Sequence, residues 1–396
     1  MSTTISPADL DALRARIGDR KIIASVSGGK ASAAMRLRLR EIGIPDEQIV
    51  NLALDTGWEE SGWREYVEGP LASAIGPITI VRAEVPRVDL IDASRLRPRV
   101  RAAVEGGSAM VQLILRKAMF PSKARRFCTE ELKAKPAAKF INALVDAGED
   151  VINAVGIRAA ESTARSKMTE WDYSEGFDCD VWRPILRWSE QDVIAIHRRH
   201  GLAPNPLYLR GASRVGCWPC IYARKSEIRH IADRDPERVE LVRELEADVA
   251  DGARARQQRR SDEWNAKVAA WRALPLDERI NRRAGMTTLA DFNAKLPRGR
   301  QRVRGTMPAS LDRDRAIPCA DDKPKPLKSL PAWFQATLGG VGDCWPIDRV
   351  VEWSRTVRGG KVGDRQVELF ASMNDGCMRW GLCETAAPED SDTGTA

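Results

Sequence analysis

After Lys21, the run Ile-Ile-Ala-Ser-Val-Ser27 leads straight into Gly28-Gly29-Lys30. A short apolar run closed by paired glycines reads as a buried strand. Met35, Leu39 and Ile42, spaced four and three apart, place a helix directly after it. Gly43 is a natural C′ stop for that helix, and Pro45 confirms the exit. The theme recurs. Ile49–Leu54 reads as a strand ending at Asp55-Thr56-Gly57, Ile78–Val81 as a third, and Val151–Val155 as one ending at Gly156-Ile157-Arg158. Strands alternating with helices predict an α/β fold: an open, mostly parallel sheet with helices on both faces.

The chain has 396 residues, room for two or three domains at roughly 100–200 residues each. Residues 1–20 are expected to form an N-terminal helix, 21–225 the sheet domain, and 226–274 a charged helical extension. In that extension Val239, Val242 and Leu245 mark the apolar face, and Gly252 and Pro275 mark the breaks. Ser189-Glu-Gln-Asp192 is a capping-box variant opening another helix, which closes at Gly201. Residues 275–330 lose periodicity and read as a basic linker, 331–383 as a small Cys- and Trp-containing module, and 384–396 as an acidic disordered tail.

No stretch approaches the ~20 apolar residues of a membrane span, and residues 1–10 do not have the pattern of a signal peptide. The expectation is a cytoplasmic protein whose eight cysteines bind metal or do chemistry rather than form disulfides. The net charge of +7 is mild, so local clusters matter more: Arg95–Arg101, Arg254–Arg260 and Arg298–Arg304 are either solvated surface or nucleic-acid contacts.

The strand-to-helix junction Ser25-Val-Ser27-Gly28-Gly29-Lys30-Ala31-Ser32 has the chemistry of a phosphate site. The glycines let backbone N–H groups converge, the helix N-terminus adds partial positive charge, Lys30 adds a full one, and Ser27 and Ser32 add hydroxyls. It is not a Walker A loop, which needs four residues between its first Gly and Gly-Lys. In an open parallel sheet, ligands bind beyond the carboxyl ends of the strands. The loop, Asp55-Thr56-Gly57 and Gly156-Ile157-Arg158 should therefore meet in one crevice. There Asp55 or Thr56 could take a hydroxyl or Mg²⁺, Arg158 and Arg165 could grip phosphate or sulfonate oxygens, and Glu161 could hold an arginine or a metal.

Ser27-Gly28-Gly29-Lys30-Ala31-Ser32 resembles the SGGKDS loop of the PP-loop ATP pyrophosphatases, with Ala31 in place of the usual Asp. Four further segments resemble the phosphoadenosine phosphosulfate (PAPS) reductase group. They are Leu54-Asp55-Thr56-Gly57; Gly156-Ile157-Arg158 with Glu161-Ser162 and Arg165; Trp182-Arg-Pro-Ile185 with Trp188-Ser189; and Asn205-Pro-Leu-Tyr208 followed by Arg214-Val-Gly-Cys217-Trp-Pro-Cys220. The resemblance covers roughly residues 21–225. It implies a nucleotide ligand, ATP or PAPS or adenylyl sulfate, with Mg²⁺.

Cys217-Trp-Pro-Cys220 has a spacing that suits zinc, an iron–sulfur cluster or a redox pair. Cys128 lies in Arg125-Arg-Phe-Cys128-Thr-Glu-Glu-Leu-Lys133-Ala-Lys-Pro136. That stretch resembles the cluster-bearing adenylylsulfate reductases and, more closely, the DNA-phosphorothioation enzymes of the DndC type. The resemblance implies that Cys128, Cys217 and Cys220 bind a [4Fe–4S] cluster. Clusters are usually held by four thiolates, so either a fourth protein ligand exists, with Cys179 the nearest candidate, or one iron is open; beside Asp178 and Asp180, Cys179 reads better as a non-ligand. Cys319, Cys344, Cys377 and Cys383 are candidates for a second metal site. His197, His200 and His230 form no ligand pattern, and His197 and His200 suit a helix C-terminus as cations.

Two chemistries follow from the resemblance. One is sulfonucleotide reduction, as by a phosphoadenylyl-sulfate or adenylyl-sulfate reductase. The other is adenylation of an oxygen followed by sulfur insertion, with a sulfur donor such as a cysteine desulfurase. The chain contains no Glu-Cys-Gly tripeptide, the nucleophile motif of the reductases. That absence, Thr129 and the basic, Trp-bearing extension favour the second, on a nucleic-acid-like target. The non-enzymatic alternative is a nucleic-acid-binding protein that retains the fold.

Overall fold

The computed structural model describes residues 6–86, 88–122, 125–212, 214–273, 324, 331–336, 343–357 and 361–362. Two compact units divide the chain: Met1–Glu246 with Ala332–Ala396, and Ala247–Pro331.

Six strands form the main sheet: β1 (Lys21–Ser25), β2 (Ile49–Asp55), β3 (Ile78–Arg82), β4 (Val151–Val155), β5 (Trp171–Ser174) and β6 (Cys179–Trp182), in the order β3-β2-β1-β4-β6-β5. All neighbours run parallel except the edge strand β5, which pairs antiparallel with β6. The helices that matter below are α1 (Pro7–Ile17), α2 (Lys30–Glu41), α3 (Pro98–Glu105), α4 (Ala109–Lys117), α5 (Lys135–Asp146), α6 (Glu190–Arg199), α7 (Lys225–Arg234), α8 (Pro236–Ala273) and α9 (Ile347–Ser354).

The strand β1 lies between β2 and β4 and is buried on both sides. Alternation sends Ile22 and Ala24 into one core, with Met35, Leu39, Val193 and Ile196 of α2 and α6, and sends Ile23 into the other, with Ile141 of α5, Leu52 and Val151. Burying each such side chain is worth about 1.5–3 kcal/mol. Because β2 leaves one side of β1 and β4 adds on the other, chain direction over the sheet reverses at β1, the switch point where such sheets open a crevice.

The capping box at Ser189 and Asp192 is formed. The sequence did not single out the β5–β6 edge, which is closed by Trp171 stacked on Trp182, centroids 5.0 Å apart, with the Arg16 guanidinium over Trp171.

Val239, Val242 and Leu245 are buried as expected, but α8 runs unbroken through Gly252 to Ala273. A glycine costs a helix interior only about 1 kcal/mol, too little to stop it. The break lies instead between α7 and α8, where Asp235 Oδ1 accepts the Arg238 N–H at the start that Pro236 favours. The arginines of Arg95–Arg101 are largely consumed in local structure. Arg99 pairs with Glu237 and Glu244, Arg95 with Asp92, and Arg101 donates to the carbonyls of Ala93, Ser94 and Leu96. The expected linker 275–330 apart from residue 324, Arg298–Arg304, the tail 384–396, Cys319, Cys377, Cys383 and the side chain of Cys344 lie outside the described residues. No helix among the described residues is long and apolar enough to cross a membrane.

Candidate active site

The loop after β1 turns at Gly28, whose φ of +76° is open to glycine at no steric cost. Trp63 closes over this turn, its Nε1–H donating to the Ser27 carbonyl at 2.9 Å. Gly29 is the N-cap of α2. Ser32 Oγ accepts the Ser27 N–H at 3.0 Å and donates to the Gly29 carbonyl, which fixes the loop. Ser25 ends β1 and donates to Asn153 of β4. Gly156 packs against the start of α2: a Cβ there would come within 2.6 Å of both the Ala31 carbonyl oxygen and Ser32 Cα. The sequence-identified loop and the β4 exit are thus one tightly packed unit.

Lys30 is ion-paired with Glu190 of α6 and lies 5.0 Å from the centre of the Tyr208 ring. Its backbone N–H donates to Tyr208 Oη at 3.1 Å, and its carbonyl accepts His197 Nε2–H at 2.9 Å. His197 is structural, as expected, but not as a cation at the helix end: burial lowers its pKa. Glu190, Tyr208 and His197 set the environment of Lys30. Their sequence signals were the capping box and the Asn205–Tyr208 segment, which gave no hint of their target.

The structure gives Asp55 and Thr56 engaged partners of their own. Asp55 Oδ1 accepts the Gly57 N–H at 2.7 Å, and Oδ2 accepts from Arg64 at 2.9 Å and from Arg82 at 2.5 Å. Burial alone would raise the Asp55 pKa, but these hydrogen bonds outweigh it and hold it below the usual carboxylate range. Thr56 is fully buried and donates to Glu59 Oε1 at 2.7 Å. Beyond β4, Glu161 serves two arginines: it is ion-paired with Arg165 and lies 3.6 Å from Nε of Arg158, which is 8% exposed. Arg158 is therefore a buried guanidinium at the crevice, and Arg165 an exposed one at its edge.

Cys128, Cys217 and Cys220 come together. The thiols stand close enough for their charges to act on one another. Burial raises the Cys128 pKa and pushes Cys217 up to about 11. Two cations join them that the sequence reading gave no role. Cys217, with Glu59 and the other two cysteines, favours the charged form of Lys133 and holds its pKa above its ordinary value. Burial works against the Arg214 charge, but Cys220 and Glu227 outweigh it and keep its pKa raised. Lys133 was itself a matched position of the Cys128–Pro136 segment, though without a role. Pro136, lacking an N–H and crowding the preceding turn, accounts for the wide turn Glu130–Ala134 that holds Lys133 just before α5.

The cysteine loop is tied to the sheet. Glu59 and Cys217 form an antiparallel bridge, the Trp218 N–H donates to the Trp58 carbonyl at 2.9 Å, and Trp58 Nε1–H donates to the Pro219 carbonyl at 3.0 Å. A Cβ on Gly29 would lie 4.0 Å from the Val215 carbonyl oxygen, so the segment carrying the cysteines also reaches the phosphate loop.

Cys179, the possible fourth ligand, stands apart from the other three, as the favoured reading of it as a non-ligand expects. It stands at the start of β6, level with the first residue of β4, and is buried among Ile23, Ile141 and Val151. The other three lie toward the strands' carboxyl ends, so parallel pairing puts Cys179 at the opposite edge of the sheet. Burial pushes its thiol up to about 11. Among the described residues, no group of three or more His, Cys, Asp or Glu side chains is arranged to hold a metal ion.

The phosphoadenosine phosphosulfate reductase domain matches residues 102–223. The chain is 37% identical over 254 residues to an uncharacterized 37.8 kDa protein of Escherichia phage 186, which covers 58% of this chain and 75% of that protein. It is 34% identical over 98 residues to an adenosine 5′-phosphosulfate reductase of Neisseria meningitidis serogroup A and 32% identical over 123 residues to that of serogroup B, covering 25% and 31% of this chain. The chain spans 38% and 48% of the length of those two reductases. It belongs to one family with the phage protein, and its residues 102–223 carry the match to the PAPS reductase domain.

Proposed function

We propose that the chain is a nucleotide-dependent sulfur-transfer enzyme that adenylates an oxygen of a nucleic-acid-like substrate and replaces it with sulfur. The observation that carries this reading is the gathering of Cys128, Cys217 and Cys220 around Lys133 and Arg214, on a segment that also reaches the Gly29 loop. In the first step an oxygen of the acceptor attacks the ATP α-phosphorus and pyrophosphate leaves. Lys30, the α2 amides and Arg158 would bind the phosphates. Sulfide-level sulfur then displaces AMP.

The donor set favours a thiolate-bound group over a hard ion, and Lys133 and Arg214 offset the negative charge of ionised thiols. To hold a [4Fe–4S] cluster, Cys128, Cys217 and Cys220 would have to close from the arrangement seen here, and the cluster would then supply a soft iron site for sulfur. The DndC-type resemblance at Cys128-Thr129 supports this branch, in which a cysteine desulfurase is the natural sulfur source.

The identity with adenosine 5′-phosphosulfate reductases favours a second reading, reduction of an adenylyl sulfate bound in the same crevice. ATP–pyrophosphate exchange on the purified full chain separates the two. Exchange that depends on an added acceptor supports adenylation. Sulfite release from adenylyl sulfate with no exchange supports reduction. Neither activity, with nucleic acid bound, supports the binding protein.

A further inference from the structure

Trp333 lies beyond the long segment that follows α8, yet it is 1% exposed and belongs to the same unit as the sheet. Its ring stacks on Trp58, centroids 4.8 Å apart and planes 22° apart, and Phe120 meets it edge-on at 5.5 Å. Trp58 is the residue whose carbonyl accepts the Trp218 N–H and whose indole donates to the Pro219 carbonyl. It thus bonds both residues between Cys217 and Cys220. The Arg238 guanidinium lies 4.9 Å from the Trp58 ring centre and donates to the Glu59 carbonyl at 2.9 Å.

The returning segment is fastened by polar contacts at Trp333 and beyond it. Buried Glu246 of α8 accepts the backbone N–H of Trp333 on Oε1 and that of Ile347 on Oε2, each at 2.9 Å. Further along, Lys225 of α7 donates to the Thr356 carbonyl and hydroxyl. Between them Ile347 and Val351 of α9 close over Pro219, Ile228 and Ile231. A carboxylate that collects two backbone amides from separate stretches sets where both stretches lie.

We propose that Trp333 is a positioning residue for the cysteine pair: stacked on Trp58, it holds the Trp58 backbone and indole where they fix Trp218 and Pro219, and Glu246 sets Trp333 in place. The sequence after the helical extension is then part of the cysteine site. This deepens the proposed function, since it concerns the same site, but its test reads no sulfur chemistry and stands if that reading fails. An aromatic stack stabilises beyond the area it buries, enough to bias a loop anchored by two hydrogen bonds.

The test is hydrogen exchange of single amides in the full-length protein as purified, for Trp333→Ala, Trp333→Leu and Trp333→Phe. The expected result is at least tenfold faster exchange at the Trp218 amide in the Ala and Leu variants, wild-type exchange in Phe, and unchanged protection at the Val26 and Ser27 amides of the phosphate loop. If Ala does not fold, Leu decides by the same criteria. Unchanged exchange at Trp218, or acceleration shared equally by Val26 and Ser27, overturns the proposal.

Discussion

Tyr208 Oη accepts the Lys30 backbone N–H at 3.1 Å while its ring lies 5.0 Å from Lys30 Nζ. One side chain thus touches both ends of the residue that carries the loop's charge. With Glu190 ion-paired to the same ammonium and His197 bonded to the same residue's carbonyl, Lys30 is held from several sides. Preorganisation of this kind lowers the cost of binding.

Lys30→Ala removes the loop's full charge and leaves the glycine turn. Nucleotide affinity should fall more than tenfold, at least ~1.4 kcal/mol. The lost ion pair is partly exposed and costs about 1 kcal/mol or less, so the melting temperature should move by only a few degrees. Isothermal titration with ATP and with adenylyl sulfate, beside a thermal melt, checks both. Equal affinities would remove the loop from the phosphate site.

Gly156→Ala tests the packing of β4 against α2. The added methyl meets backbone atoms at 2.6 Å, which no rotamer change can relieve. A stability loss of about 1–3 kcal/mol is expected, together with weaker nucleotide binding because the displaced atoms belong to the loop. Denaturant unfolding with wild-type stability would show that the contact is not tight.

Cys217→Ser should abolish the colour and iron content of anaerobically purified protein, and Cys179→Ser should leave both intact, because Cys179 sits at the far edge of the sheet. Thiolate-bound iron–sulfur centres absorb near ~400 nm, and about four irons per chain are expected. Zinc in place of iron would reduce the cysteines to a structural clip and take the main support from sulfur insertion.

Glu246 gives the stability a pH dependence. Burial pushes its carboxyl from an ordinary value of 4.5 up to about 7, against the pull of two backbone amides. Between those values the unfolded chain has lost a proton that the folded chain keeps. Stability from this group is therefore full below about 4.5, declines as pH rises, and levels off above about 7. The whole effect is on the order of 3 kcal/mol. Glu246→Gln should flatten that part of the profile in calorimetric melts between pH 4 and 8. Parallel profiles in the two proteins would show that Glu246 does not titrate there.

What the sequence determined by itself was whatever depends on near neighbours. The step from Ile23 through Gly28 to Lys30 and Met35 is a strand, a turn and a helix because alternation, glycine freedom and helical spacing act within a few residues. The capping box at Ser189 is equally local. The meeting of Cys128 with Cys217 and Cys220 was legible only through motif resemblance.

The tertiary structure decided the rest. Parallel register, not spacing, sends Cys179 to the opposite end of the sheet from the other cysteines. Asp55 and Thr56 stand where the sequence put them, but Arg64, Arg82 and Glu59 occupy their oxygens. Gly252 does not break α8, because one glycine is outweighed by the packed face that includes Val242 and Leu245. The partners of Lys30, the approach of Lys133 to Cys217 and the stacking of Trp333 on Trp58 all join residues far apart in the chain. No local pattern encodes such contacts, because their energy is realised only once the sheet has fixed which strand ends lie side by side.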